Sequence, residues 1–323
     1  MIRIIKKNLD LLPVLIILTF AIILSSKKQF SLFTLDGIKM YFGVILPSLF
    51  PFIFITTLLS FCGGTLKIGK LLSPITTKLF KLNGACGYAY FMSLISGCPI
   101  GASIVSTLKS NRLISQVESE RCSVLCSTFS PSYLISTVGG IMFDNVRFGL
   151  LLFVCHLLSS ITIGIIFSFY KKEKPTPLKE IQLLKSDNII YDGIVSTINS
   201  VLFVGGIITI FYIISEVLFN LKVFNPLINL GENIFQSEQI SKALIFGILE
   251  NSKGLITLSQ VGAQKTSFIL CAFLCGFGGL SVILQSVAFL KKAKIKIAPF
   301  ILSKIMIAII NLIYSTIISL LFL

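Results

Sequence analysis

The residues able to do chemistry in this 323-residue chain sit inside apolar runs. Glu250-Asn251-Ser252-Lys253-Gly254 interrupts the apolar stretch 241–263. A charge at the centre of a membrane helix costs ~2.5–3.5 kcal/mol on insertion scales. Glu250 therefore faces a cavity, pairs with Lys253 three residues on, or is protonated. Ser96-Gly97-Cys98-Pro99-Ile100-Gly101 interrupts 84–108 in the same way. It offers hydroxyl, thiol and bare backbone where proline removes a donor and clashes with the preceding turn. Ser127, Thr128 and Ser130 precede Pro131, and their hydroxyls either satisfy backbone groups freed by a break or meet a ligand. Gly278 and Gly279 form a second such break, followed by Gln285. Gln285 and Asn251 are neutral polar groups at depth, able to bond across helices for ~0.6 kcal/mol each. The chemistry open to this set is binding. Helix N-termini and unwound N–H groups hold anionic or polar groups, and unwound carbonyls hold cations.

Nothing in the chain points to catalysis. It has no Walker loop, HExxH helix, nucleophile elbow or zinc spacing, so no enzyme activity, cofactor or metal is expected. His156 lies in an apolar run and reads as a helix–helix hydrogen bonder, with a proton relay as its alternative. Most of the eight Cys fall in apolar runs, where cysteine behaves as a small hydrophobe. Glu216 reads as interfacial. Glu118 and Glu120, beside Arg112 and Arg121, read as a solvated cluster on a cytoplasmic rim.

The elements that must position these groups follow from composition. Hydrophobic residues make up 54% and charged residues 13%, about half the ~25% charged share of a soluble domain. That excludes a soluble enzyme, a disordered chain and a disulfide scaffold. The net charge of +15 comes from Lys and Arg in short loops between apolar runs, the place that the positive-inside rule gives them, so no nucleic-acid partner is read from it.

Apolar stretches occur at 9–24, 37–62, 84–108, 122–140, 148–169, 193–219, 241–263, 267–290 and 298–323. The first follows a basic start and lacks a cleavage pattern, so it reads as an uncleaved span with a cytoplasmic N-terminus. If every stretch crossed, the basic loop holding Lys171, Lys172, Lys174, Lys179 and Lys185 would lie outside. Turning 84–108 and 241–263 into re-entrant hairpins repairs the charge bias and places the C-terminus outside. Non-helical backbone at such depth survives only where protein or a watery cavity covers it.

The expected fold is an all-α polytopic membrane protein: one N-terminal span plus two inverted repeats, each a span, a re-entrant hairpin, a broken span and a span. The units are a 1–35 anchor, repeat 1 at 36–170, a cytoplasmic linker at 171–190 and repeat 2 at 191–323. Cys122-x-x-x-Cys126 and Cys271-x-x-x-Cys275 open the span after each hairpin and precede its breaker. Before each hairpin lies an amphipathic stretch, 66–82 and 223–235, that reads as an interfacial helix. Inverted repeats with broken helices are the signature of secondary transporters, whose site lies near the bilayer midplane. The candidate substrate-binding set is Ser96, Gly97, Cys98, Pro99 and Gly101; Ser127, Thr128 and Ser130; Glu250, Asn251 and Ser252; and Gly278, Gly279 and Gln285.

The stretch Ser96-Gly97-Cys98-Pro99-Ile100-Gly101-Ala102 matches the S-G-x-P-x-G-A pattern of the Gate-domain (nucleoside recognition) membrane family. Leu46-Pro47-Ser48-Leu49-Phe50-Pro51-Phe52, Glu118-Ser119-Glu120-Arg121 and 276–285 support the resemblance, which covers 36–323 and is similar to the family's sporulation branch. It implies an integral membrane protein of spore-forming bacteria linked to spore cortex formation. Its architecture would be similar to the core of concentrative nucleoside transporters. The expected function is a secondary-transporter-like permease or gate for a small polar solute of unknown identity. The alternative is a non-transporting scaffold that recruits spore-envelope or cortex machinery. The partners are then the lipid bilayer and that solute; a coupling ion and homo-oligomerisation stay open.

Overall fold

A computed structural model describes residues 28–178 and 188–322. The expected N-terminal span at 9–24 and the linker residues Lys179 and Lys185 lie outside the described residues. Those that are described form helices and no strand. Five stretches are long and apolar enough to cross a membrane: Ser31–Phe61, Val146–Phe167, Ile189–Asn220, Lys265–Lys292 and Ala298–Phe322. The chain is an all-α, multi-pass membrane protein.

The first set of elements begins with α1 (Lys28–Met40), a π-helical turn π1 (Tyr41–Ile45) and α2 (Leu46–Phe61), one nearly continuous apolar rod. Gly63 in the left-handed region ends it. Next comes α3 (Gly64–Phe80), whose Leu71, Ile75 and Leu79 stay exposed along one side. Asn83 then caps α4 (Gly84–Ser96) by accepting from the Cys86 N–H at 3.2 Å. The chain breaks over Gly97-Cys98-Pro99 and returns as α5 (Ile100–Ser110). A Cβ on Gly101 would lie 2.5 Å from the Ser93 Oγ, eight residues back, so the two helices double over. In a straight helix those positions would stand ~12 Å apart. A capping box, Ser115 with Glu118, starts α6 (Gln116–Leu125). Residues 126–130 are non-helical, Pro131 restarts the chain as the π-helical segment π2 (Ser132–Met142), and Asn145 caps α7 (Val146–Phe167).

The second set repeats that order. It runs as α8 (Ile189–Asn220), the short amphipathic α9 (Asn225–Phe235), the hairpin α10 (Glu238–Leu249) and α11 (Asn251–Ser259), the broken rod α12 (Lys265–Phe277) and α13 (Gly279–Lys292), and α14 (Ala298–Phe322). Leu227, Leu230 and Ile234 are exposed on α9, as their counterparts are on α3. A Cβ on Gly254 would lie 2.7 Å from the Ala243 carbonyl, so α11 doubles back along α10.

Packing is reciprocal between the sets. Helix α2 touches α4 and π2, as α8 touches α10 and α13. The second arm of each hairpin reaches the other set's broken rod: α5 meets α13, and α11 meets π2. The main apolar core lies at this exchange, with Phe129, Tyr133, Leu134 and Phe148 from the first set against Leu255, Phe268 and Leu274 from the second. In a bilayer it is close van der Waals packing, not removal from water, that lets this core join the two sets.

Two expectations need correction. The cysteine pairs do not open the spans after the hairpins. Cys122 and Cys126 lie at the end of α6, and Cys271 and Cys275 near the end of α12. The capping box at Ser115 starts the helix ahead of the apolar run. Three of the four rim charges are also not solvated: Glu118, Glu120 and Arg121 are 1%, 0% and 2% exposed, while Arg112 is exposed as expected. The segment after α7 folds over them. Glu118 accepts from the Thr176 N–H at 3.0 Å and its hydroxyl at 2.6 Å, and from the Asn83 N–H at 3.3 Å. Arg121 donates to the carbonyls of Tyr170 and Lys171 rather than to Glu118 or Glu120. Glu120 accepts from Lys171 at 2.8 Å, Gln116 at 3.0 Å and the Tyr170 hydroxyl at 3.1 Å. Burial raises the Glu120 carboxyl, but these three donors outweigh it and hold the group below its ordinary value.

Candidate functional site

Both hairpin tips, the first helix break and the helix that follows the second break meet at one small chamber. Its lining takes Gly97 and Cys98 from the first tip, Phe129, Ser130 and Tyr133 from the first break, and Glu250, Asn251 and Ser252 from the second tip. Val282 and Gln285 come from α13, Ile45 and Leu49 from the first rod, and Val204 and Ile208 from α8. The chamber holds about 30 Å³. That is room for two or three waters, at ~10–15 Å³ each.

Backbone approach builds it. Gly97 has φ +78°, and a Cβ there would lie 3.0 Å from the Ser130 amide nitrogen. Gly279 has φ +75°, and a Cβ there would lie 3.0 Å from the Asn251 amide nitrogen. Each tip thus rests on its own set's break through a glycine, the residue that tolerates both the conformation and the approach.

Glu250 is the residue around which the second tip turns. Its backbone is extended (φ −134°, ψ 112°), ending α10 and starting α11. Its Oε2 accepts from the Lys253 N–H at 2.6 Å, capping α11, while its Oε1 has no partner. The Asn251 amide and the Gln285 Nε2 are also buried without partners. Three side chains therefore present unpaired polar atoms at one chamber. Each such group forfeits ~1–3 kcal/mol unless a ligand or water meets it. Ser252 is satisfied by the Tyr133 hydroxyl at 3.0 Å.

Of the candidate set, Gly97, Cys98, Ser130, Glu250, Asn251, Ser252 and Gln285 come together at the chamber. The others stand behind it. Ser96 bonds Thr56 at 2.6 Å and the Phe52 carbonyl at 3.2 Å, tying the first hairpin to α2. Thr128 bonds Ser93 at 2.8 Å. Gly101 packs against the Cys126 carbonyl. Pro99, Ser127, Gly278 and Gly279 shape the breaks without lining the cavity. His156 accepts from the Phe129 N–H at 3.0 Å through Nε2 and meets Asn311 at 3.3 Å through Nδ1. It holds the first break's backbone as well as joining two helices.

The expected Glu250–Lys253 side-chain pair does not form. Lys253 turns away, pairing with Glu216 at 2.9 Å and donating to Ser215 at 2.7 Å. Its ammonium also lies 3.7 Å from the Phe246 ring centroid. Glu216 is thus a partner of the hairpin and not a free interfacial charge. Its spacing to Lys253 is long-range, so the sequence carries no local signal for the pair. Lys304, 1% exposed, is a further functional candidate that the sequence reading passed over.

Two larger cavities flank the chamber. A cleft of about 620 Å³ is lined by Lys39, Met40, Tyr212, Glu216, Phe246, Lys253 and Thr257. A second of about 250 Å³ is lined by the hydroxyls of Thr56, Thr57, Ser60, Ser103, Thr107, Ser196 and Ser200. They fall at opposite ends of the same helices. On the first rod the order is 40, then 45 and 49, then 57; on α8 it is 212, then 208 and 204, then 196. Residues 40 and 57 stand ~25 Å apart along the rod.

Over 297 residues, 84% of this chain and 72% of the relative, the sequence is 27% identical to the sporulation integral membrane protein YlbJ of Bacillus subtilis (strain 168). The chain is a homologue of this protein. No family model matches, and no solved structure matches. The likeness to YlbJ agrees with the apolar rods found here: both are integral membrane proteins.

Proposed function

We propose that the chain is a secondary-transporter-like permease or gate for a small polar solute, acting in the cell membrane during sporulation and linked to spore cortex formation. One observation carries this reading. A polar cleft, a constricted chamber with unpaired polar atoms and a hydroxyl-lined cavity follow one another along the same two helices. Such a series is what a transport path closed at its middle requires. We take each set to cross three times, by the long rod, the broken rod and the last rod, with α6 and the shorter apolar π2 together making the first set's broken crossing. An odd number puts the second set upside down relative to the first, so the reciprocal packing is that of inverted repeats, as in transporters that alternate access around a fixed site. With the N-terminus cytoplasmic, the hydroxyl cavity opens inward and the Lys253–Glu216 cleft outward. Glu250, Asn251 and Gln285 hold the solute; no chemical conversion is assigned to them.

A thermal-shift screen of small polar metabolites on the purified chain tests this. The reading expects one solute class to raise Tm in the wild type and not in Glu250→Gln. A shift that survives Glu250→Gln, Asn251→Ala and Gln285→Ala together contradicts it.

A scaffold recruiting spore-envelope or cortex machinery is the second reading. The docking of residues 170–176 over Glu118, Glu120 and Arg121 favours it, because this builds a firm basic platform on one rim. Charge reversal across 171–185 is then the damaging change, and the chamber variants are silent.

A further inference from the structure

Lys304 lies on α14 and is 1% exposed, yet among the described residues no carboxylate pairs with it. Its Nζ donates to the Ser127 carbonyl at 3.4 Å, in the first break. The same Nζ lies 3.3 Å from the position of a Cβ on Gly278, in the second break. The Phe300 ring centroid is 5.6 Å away, and Cys98 and His156 lie within electrostatic reach. Ser127 and Gly278 follow the C-terminal ends of α6 and α12. The ammonium therefore rests on a carbonyl at the negative pole of α6 and beside Gly278, the junction at which α12 ends and α13 begins. Unwound carbonyls and half-helix C-termini are where membrane transporters hold a coupling cation. A buried charge without an acid partner is otherwise costly enough that an apolar side chain would serve packing better.

We propose that Lys304 is a tethered cation: its ammonium fills the place between the two helix breaks that a free monovalent metal ion would otherwise occupy. The chain then closes its two halves without such an ion there. The first set's carbonyl receives the charge from the second set's last helix, so Lys304 also joins the halves. This inference is independent of solute transport, because the charge is needed for closure whether or not anything crosses.

The test is thermal unfolding of the purified full chain in detergent, with sodium or potassium chloride replacing choline chloride at constant ionic strength. The wild type should show the same Tm in all three salts. Lys304→Ala should melt roughly 5 °C or more lower in choline, then recover saturably as sodium or methylammonium is added. Lys304→Gln is one atom shorter and keeps a donor but no charge, and should show the same cation response. Sodium-specific stabilisation of the wild type would overturn the proposal, because the place would be open to a metal ion. So would a Lys304→Gln protein that matches the wild type in choline. If Lys304→Ala is not recovered folded, the wild-type salt series and Lys304→Gln decide the matter.

Discussion

The two hairpins use one backbone device for different ends. Both turn within one to three residues and rest on their set's break through a glycine on which a Cβ would lie 3.0 Å from an amide nitrogen. The first is satisfied throughout. Ser93 and Ser96 are bonded, Cys98 is the side chain at its tip, and its base is clamped by Asn83, whose side-chain amide donates to the Leu113 carbonyl at 3.1 Å and whose N–H donates to the Glu118 carboxylate at 3.3 Å. The second leaves Glu250, Asn251 and, across the chamber, Gln285 with unpaired atoms. Its arm is tied to α8 through Lys253, which pairs with Glu216, donates to Ser215 and lies over the Tyr212 ring beside an open cleft. The same architecture thus supplies a fully bonded wall in one copy and a wall with unpaired polar atoms in the other.

The largest effect that would sharpen this contrast is at Glu250. Glu250→Gln keeps an oxygen to cap α11, so protein level in the membrane should hold, while complementation of spore yield falls tenfold or more. Retained spore yield would erase the difference between the tips. Next come the glycines that let each hairpin double over. Gly101→Ala sets a Cβ 2.4 Å from the Cys126 carbonyl, and Gly254→Ala one 2.2 Å from the Gly247 Cα. Both should lower stability by ~1–3 kcal/mol, since backbone on the far side cannot yield without shifting. Thermal unfolding of the two variants tests whether the hairpins are equal as structures, whatever their difference in chemistry.

The buried rim carboxylate beside the first hairpin's clamp gives a smaller, pH-dependent effect. Glu120 is held below its ordinary value in the folded state, burial being outweighed by its donors, and is free when unfolded. Its contribution is therefore complete above the ordinary carboxylate value of about 4.3 and is lost as pH falls through the lower folded value. Lys171 is raised by its bond to Glu120, so its share is complete below the ordinary lysine value and is lost only as pH rises through the folded one. Between these limits stability should be flat. Glu120→Gln should lower the plateau by ~1–3 kcal/mol and remove this part of the acid limb, read from Tm against pH. The smallest effect belongs to Cys98→Ala: under ~1 kcal/mol and no loss of spore yield, because the side chain is a small hydrophobe at a satisfied tip.

Much of this fold is legible in the chain. Gly97 before Pro99, Pro131 after three hydroxyl residues, and the Gly278–Gly279 pair each state a break locally, because the backbone itself is restricted there. The chamber follows partly from the same signals, and Cys98, Glu250, Asn251 and Gln285 all line it. What stays hidden depends on distant partners. Lys304 follows the cluster Lys291, Lys292, Lys294 and Lys296 and reads as one more interfacial lysine. Only the approach of the first break, 177 positions away, makes it central. Glu216 finds Lys253 across 37 positions. Glu118, Glu120 and Arg121 are buried by a segment about 50 residues downstream that is itself polar and proline-rich.

The claim that the two larger cavities open to opposite faces is tested most directly by cysteine labelling. Cys62 is the exposed native cysteine among the described residues. In a Cys62→Ser background, Thr107→Cys reports the hydroxyl cavity and Thr257→Cys the cleft. A membrane-impermeant maleimide should reach Thr257→Cys only from outside the cell and Thr107→Cys only from the cytoplasmic side of inverted vesicles. Labelling of both from one face would contradict a path closed at its middle by the two hairpin tips.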